Sequence, residues 1–399
     1  MSWPDTIDRV SPGIVTLSIN SVRPFEGVVA SSATGTGFVV DAKLGIILTA
    51  RHVVTTGPIR GVATFSNQEE VPVYALYFDP VHDFGFLRFD PSRVHFMDVI
   101  DIELFAEGAR VGTEISVVGS DLGEKLSIMR ATIARLDREC PAYRKNPYKD
   151  VNTFYLSANS NTSGGSSGSP VLNINGKAVA LNVGGSTISS ASFYFPLHRV
   201  VRALNLLRAD GLKSTKNITR GTIQTIFSYT HFAETRRLGL PTAMEAKIRK
   251  KYPTGTGMLV VSLVVPEGPG AMAGLQPGDI LLALNGVACT SFNVLEATMD
   301  SLMEESEIVD SEAKIAKKMS RSVNIVAWRG KEQLSMSIAV ENLHDLIPRK
   351  LLQVGDCVFQ ELSYMLAKRF NIRCGGVYST WAGYMLDRAD IKDYFILDS

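Results

Sequence analysis

Nucleophilic serine chemistry needs a hydroxyl, a base to take its proton, an acid to orient that base, and donors for the charge that develops on the attacked carbonyl. The sequence offers each in a suitable local setting. Gly164-Gly-Ser-Ser-Gly-Ser-Pro170 is a tight, glycine-rich turn directly ahead of an apolar strand, Val171-Leu-Asn-Ile. Small residues there let backbone N–H groups point inward together. Ser167 is the candidate nucleophile, and the N–H groups of Gly165 and Ser167 are the candidate oxyanion donors. The commoner meaning of such a composition is a flexible loop, so the turn gains weight only with partners. His52 follows the apolar run Gly45-Ile-Ile-Leu-Thr-Ala-Arg, which delivers it to a strand end. Asp83 lies in Asp79-Pro-Val-His-Asp-Phe-Gly-Phe-Leu-Arg-Phe, between a turn and an apolar strand. Partial burial there favours pairing with an imidazolium. Singly, a histidine is more often structural and an edge acid more often a turn cap; the three settings together raise a catalytic expectation.

Other chemistries find less support. No histidine stands in a His-Glu-x-x-His spacing, and Cys140, Cys289, Cys357 and Cys374 show no Cys-x-x-Cys pair, so neither a metal nor a cofactor is expected. Cysteines this few and scattered do not make a disulfide framework and fit a reducing compartment. Lys+Arg 41 against Asp+Glu 40 leaves a net charge of +1, with no bulk field for nucleic acid or anionic lipid. The N-terminal residues lack the basic and apolar regions of a secretory leader, and the longest apolar stretch, Met258 to Val265, is far shorter than the ~20 residues that span a bilayer. The expectation is a protein of nucleus or cytoplasm, with protein or peptide partners, no nucleic acid and no membrane.

The elements that must position the triad are strands. From Ile14 to about Val183 the chain reads as short β-rich runs broken by Gly, Pro, Asn and Asp, which predicts a sandwich or barrel rather than a parallel α/β sheet. The first convincing helix is Leu197 to Ala209, with Val200, Val201, Leu204 and Leu207 on one face. Lys213-Ser-Thr-Lys-Asn-Ile-Thr-Arg is a polar linker. Beyond it strands at Thr222–Phe227, Met258–Val264, Ile280–Leu284, Ser322–Trp328 and Gln333–Val340 surround a short helix, Ala271–Ala273, and a longer one, Asn293–Leu302. Glu304–Lys318 reads as a solvated loop, and a third, incomplete unit starts at Asn342.

The order His52, Asp83, Ser167 in a β-rich region resembles the trypsin-like double-barrel serine proteases. The strings Gly35-Thr-Gly-Phe-Val-Val, Thr49-Ala-Arg-His-Val-Val, His82-Asp-Phe-Gly-Phe-Leu and Gly165-Ser-Ser-Gly-Ser-Pro resemble the HtrA/Deg family. They are most similar to its large eukaryotic branch, the fungal pro-apoptotic nuclear serine proteases and plant Deg proteins. Pro266 to Gly286, with Ala273-Gly-Leu-Gln-Pro-Gly-Asp at its centre, is similar to that family's PDZ signature. The resemblance implies a mainly β chain: a double β-barrel protease domain over residues 1–212, an α+β PDZ domain over 219–341 and a partial second PDZ-like unit over 342–399. Because large-branch members carry further units, the chain is expected to be the catalytic front portion of such a protein.

The resemblance further implies acyl transfer, with His52 as base and then acid, Asp83 fixing its tautomer, and Gly165 and Ser167 holding the oxyanion. The strip Leu181, Asn182, Val183 and Gly184 walls the specificity pocket and, lacking acid or base, calls for an aliphatic substrate residue. Ser166 and Ser169 stand where most of the family has Asn and Gly, and Ser169 is expected to narrow the substrate wall. In the PDZ domain Gly221, Thr222 and Ile223 supply loop and strand, and Val294 and Thr298 the helix, of a groove for a C-terminal or internal peptide. The family often assembles as homo-oligomers, trimers among them, through N-terminal aromatics, of which Trp3 is the early one here. From a different class, the chain also fits a resting peptide-binding scaffold or chaperone.

Overall fold

The computed structural model describes residues 2–120, 126–140, 149–160, 164–186, 191–215, 218–312, 321–389 and 396–397. The chain divides into two compact units: residues 1–150 with 154–218, and residues 151–153 with 219–399.

The first unit holds two closed six-stranded barrels. The first comprises β1 (Ile14–Ser21), β2 (Ser32–Asp41), β3 (Ile46–Thr49), β4 (Ile59–Thr64), β5 (Glu70–Phe78) and β6 (Gly85–Arg88). The second comprises β7 (Glu114–Ser120), β8 (Leu126–Arg138), β9 (Tyr155–Ala158), β10 (Pro170–Leu172), β11 (Ala178–Ser186) and β12 (Ala191–Pro196). Closure leaves no exposed sheet edge. All four residues of β3 are buried, as the continuous Ile-Ile-Leu run requires. Buried residues including Leu17, Phe38, Val39, Ile47, Leu48 and Phe86 pack on both faces of these strands.

Among the described residues of this unit are three α-helices. α1 (Trp3–Val10) was not anticipated among the early strands, although its Ser2 and Asp5 form a reciprocal capping box with Pro4 in the first turn. Trp3 is buried within its own unit, with the Arg130 guanidinium 5.4 Å from its ring centroid. α2 (Arg51–Val54) is a single turn carrying His52. α3 (His198–Ala209) is the anticipated helix and buries Val200, Ala203, Leu204 and Leu207.

In the second unit β13 (Gly221–Thr222) and β14 (Thr225–His231) replace the single strand expected there. The interruption falls at Gln224, whose φ of 52° breaks the extended run. α4 (Phe232–Arg237) and α5 (Thr242–Lys251), unforeseen in the sequence, lead to β15 (Gly257–Val264), α6 (Pro269–Met272), β16 (Ile280–Leu284) and β17 (Val287–Ala288). α7 runs from Phe292 to Glu312, so the front of the segment read as a loop is helix; residues 313–320 lie outside the described residues. β18 (Ser322–Arg329), β19 (Glu332–Ala339) and β20 (Glu341–Asn342) follow. The sheet order is β14-β15-β16-β18-β19, with β14 at one edge, while β13 pairs with β20. The residues after Asn342 build a four-stranded sheet in sequence order, β21 (Leu351–Val354), β22 (Cys357–Glu361), β23 (Val377–Trp381) and β24 (Ile396–Leu397), with α8 (Tyr364–Phe370) and α9 (Gly383–Arg388). Among the described residues no helix is long and apolar enough to cross a membrane.

Candidate active site

Register places the first two groups. β3 and β6 run antiparallel with Thr49 opposite Gly85. His52, three residues after Thr49, and Asp83, two residues before Gly85, therefore leave the ladder at the same end. A side-chain turn sharpens this: Asp79 Oδ1 accepts from the N–H groups of Val81 and His82 at 2.9 and 2.8 Å. Gly85 has no room for a Cβ, which would lie 2.9 Å from both the Tyr77 carbonyl oxygen and the Val54 side chain.

The resulting pair is close and multiply bonded. His52 Nδ1 lies 2.8 Å from Asp83 Oδ2 and 3.1 Å from Oδ1, and the His52 backbone N–H donates to Oδ1 at 3.0 Å. A carboxylate accepts only, so Nδ1 carries the proton and Nε2 keeps its lone pair, the tautomer of a general base. The Asp83 side chain is 0% exposed and the His52 ring 28%. Phe84 and Phe195 stack at 5.6 Å beside this pair, and Tyr155 packs edge-on to Phe195 at 5.7 Å. A second buried carboxylate stands behind the acid: Asp150 Oδ2 accepts from the Asp83 N–H at 3.0 Å and from the Tyr155 hydroxyl at 2.6 Å. Burial of the imidazole opposes its charged form and is the largest single influence on it. The Asp83 charge and hydrogen bond, with the Asp150 charge, outweigh that burial, and the His52 pKa is raised from 6.5.

Ser167 sits in the turn ahead of β10, and this turn is tied to the strand pair that precedes His52. The Thr36 N–H on β2 donates to the Ser167 carbonyl at 2.8 Å, and Thr49 Oγ1 donates to the Thr36 carbonyl at 2.7 Å. A Cβ on Gly35 would lie 2.9 Å from Val53 and 3.3 Å from the Ser167 carbonyl oxygen, which puts the turn beside α2. Gly165 and Gly168 have φ of 91° and 89°, conformations that need glycine. The Gly165 carbonyl accepts from Thr36 Oγ1 at 2.9 Å, and the Gly168 N–H donates to the Asn182 carbonyl at 2.7 Å.

The residues expected to wall the pocket are placed differently from one another. Leu181 and Val183 are buried in the core. Asn182 is also buried, but its Nδ2 donates to the Ser166 carbonyl at 2.7 Å and to Ser166 Oγ at 3.1 Å. Gly184 is partly exposed, beside a register shift in the β11–β12 pairing that re-aims the strand. Ser169 does not line a substrate wall: it is fully buried, its Oγ donating to the Ser166 carbonyl at 2.6 Å. Sequence reasoning missed that role, as it missed Thr36 and Asp150, because residue type announces a hydroxyl or a carboxylate but not the partner across the fold.

Cys140, Cys289, Cys357 and Cys374 are thiols rather than disulfides. Burial pushes Cys140 up, and pushes Cys289 and Cys374 up to about 12, which keeps each protonated and unreactive at neutral pH. Among the described residues no cluster of His, Cys, Asp and Glu could hold a metal ion.

In the second unit, Gly221 and Thr222 of β13 and the following Ile223 are buried. The Gly221 N–H donates to Asp300 Oδ1 at 3.0 Å and the Gln224 N–H to Thr222 Oγ1 at 2.9 Å. Gln224 Nε2 donates to Glu341 at 2.7 Å, and the Cys374 thiol donates to Gln224 Oε1 at 3.2 Å. Tyr364 of α8 is hydrogen-bonded with Thr222, and burial pushes its hydroxyl pKa up. Arg220, 2% exposed, pairs with Glu296 at 3.1 Å and Asp300 at 3.2 Å. Val294, 39% exposed, accepts through its carbonyl from Thr298 Oγ1 at 2.8 Å on the outer part of α7. The edge strand β14 is met by Asn152, whose Nδ2 donates to the Thr225 carbonyl at 3.1 Å while its Oδ1 accepts from the Phe227 N–H at 2.8 Å. Those are the positions at which an added strand would bond.

Two six-stranded barrels, with an oriented imidazole–carboxylate pair and a glycine-rich serine turn, define the trypsin-like class. Residues 35–181 match the trypsin-like peptidase domain family and residues 260–301 the PDZ domain family. The chain belongs to the HtrA/Deg family, on its eukaryotic branch. It is 45% identical over 402 residues to Protease Do-like 7 of Arabidopsis thaliana, covering 99% of this chain and 35% of that protein. To the pro-apoptotic serine protease NMA111 of Kluyveromyces lactis it is 42% identical, covering 99% of this chain and 39% of the relative. The chain thus spans little more than a third of the length of these relatives. Among solved structures, the HtrA-type protease AlgW with tripeptide superposes with a TM-score of 0.59 at 17% identity, over 86% of this chain and 97% of that one. The serine endoprotease from Yersinia pestis gives 0.54 at 17% identity, over 86% and 98%. At such identities the likeness is one of fold.

Proposed function

We propose that the chain is a serine endopeptidase that hydrolyses peptide bonds of misfolded or regulatory proteins, with its PDZ domain binding or regulating peptide. The observation that carries this reading is the His52–Asp83 pair, bonded through both ring and backbone, at the strand end to which the Ser167 turn is tied. In the reaction, Nε2 of His52 takes the Ser167 proton as Oγ attacks the carbonyl, and Asp83 stabilises the imidazolium. Nε2 then protonates the leaving amine, and water releases the acyl-enzyme by the same route. Gly165 and Ser167 supply the N–H donors for the oxyanion, each worth roughly 3 kcal/mol in such sites. The strip Leu181, Asn182, Val183 and Gly184 carries neither acid nor base, which supports an aliphatic preference; a peptide-library profile favouring Lys or Arg would refute it. The likeness to the eukaryotic branch of the family is what supports a place for this activity in nucleus or cytoplasm.

The test is casein cleavage and fluorophosphonate labelling of wild type beside Ser167→Ala. Cleavage and labelling are expected in wild type and absent in the variant. A folded wild type that shows neither would instead support the peptide-binding scaffold.

A further inference from the structure

A catalytic amide is useful only if it stays aimed, and the peptide joining Ser166 to Ser167 is fixed from behind. The Ser166 carbonyl accepts from three donors: Asn182 Nδ2 at 2.7 Å, Ser169 Oγ at 2.6 Å and the Ser169 N–H at 3.1 Å. Ser166, Ser169 and Asn182 are all fully buried. In a trans peptide the N–H points opposite to the C=O. Holding the Ser166 oxygen inward therefore turns the Ser167 N–H outward, toward the face where its Oγ must attack.

The flanking peptides are held as well. Thr36 Oγ1 donates to the Gly165 carbonyl at 2.9 Å and accepts from the Ser120 N–H at 2.9 Å, and the Thr36 N–H donates to the Ser167 carbonyl at 2.8 Å. Space for the serine hydroxyl is provided by Gly119, where a Cβ would lie 1.9 Å from Ser169 Oγ. Rotating the Ser166–Ser167 peptide would turn the Ser167 N–H into a dry site that already holds three donors and leave those donors without their acceptor, a cost that each donor bears separately.

We propose that Ser169, acting with Asn182, is a positioning residue that locks the Ser167 N–H in the orientation that binds the developing oxyanion. This rests on the serine endopeptidase reading given above. An interaction that acts through the oxyanion donor strengthens as the carbonyl becomes tetrahedral, so its loss falls on kcat rather than KM.

The experiment compares wild type, Ser169→Ala and Ser169→Gly. It measures melting temperature, kcat and KM on a fluorogenic peptide taken from a casein cleavage site, and inhibition by the matching peptide aldehyde, whose hemiacetal oxygen occupies the oxyanion position. The expected result is a kcat lowered about tenfold, the effect of losing one such hydrogen bond, a KM within twofold of wild type and an aldehyde affinity that falls in step with kcat. The glycine variant removes the hydroxyl without leaving a methyl group, and decides the matter if the alanine variant does not fold. Unchanged kcat and aldehyde affinity in either folded variant overturn the proposal, as does a raised KM at constant kcat, which would return Ser169 to the substrate wall. If wild type itself neither turns over peptide nor reacts with fluorophosphonate, the endopeptidase reading fails first and the proposal falls with it.

Discussion

At the residue scale, the most informative group is Asp150. It adds a second buried negative charge near His52 and bonds the backbone N–H of Asp83. Because the His52 pKa is raised, the imidazole is charged, and useless as a base, up to a higher pH than an ordinary histidine. The rising limb of kcat/KM against pH is therefore expected to have its midpoint above ~6.5. Asp150→Asn, which removes one charge that favours the imidazolium, should move that midpoint down, measurable from initial rates between pH 5 and 9. The linkage to stability has the same sign. A raised folded-state value contributes stability that is complete below the unfolded value and is lost as pH rises through the folded one. Asp83→Asn leaves the contact but offers the wrong tautomer, and kcat should drop by roughly 10⁴.

At the element scale, much of the positioning was readable in advance. The apolar run ahead of His52 and the one following Asp83 announced two buried strands, and their antiparallel register is what brings the two side chains together. The glycine-rich turn was legible for a physical reason, since two of its glycines do adopt positive φ. What composition could not disclose was reach. Thr36, Ser169 and Asn182 are unremarkable polar residues until the barrels close and present the first to the Gly165 carbonyl and the other two to that of Ser166. α1 was missed although its capping box is written in Ser2 and Asp5, and α7 was cut short because acidic residues in its second half look like a solvated loop. Gly168→Ala tests the turn directly. Its Cβ would lie 2.0 Å from the Thr36 carbonyl oxygen and 2.1 Å from Thr49 Oγ1, at a φ that alanine rarely adopts. Cleavage should be lost and the melting temperature lowered by several degrees, the signature of 1–3 kcal/mol of strain or about that.

At the scale of the whole molecule, the second unit owes its integrity to charge as well as to apolar packing. Arg220 faces Glu296 and Asp300 with almost no solvent. Arg220→Met would leave two carboxylates without their cation, at a cost of roughly 3–5 kcal/mol. Thermal unfolding should then show the second unit melting well before the first, whereas coincident transitions unchanged from wild type would contradict this account. The polar stretch from Lys213 runs up to Thr219, where the second unit resumes, but nothing local in the sequence shows that residues 151–153 belong with the later residues.

That short segment has a further consequence. Asn152 offers β14 one amide with a donor and an acceptor, where an extended ligand would offer a ladder. A peptide that adds as a strand to β14 would have to evict it, and its measured dissociation constant would then be the intrinsic one divided by the fraction of molecules in which the seat is vacant. Asn152→Ala abolishes that competition, and fluorescence anisotropy with a labelled casein-derived peptide should show binding tighter by about tenfold, the equivalent of two neutral hydrogen bonds no longer to be broken.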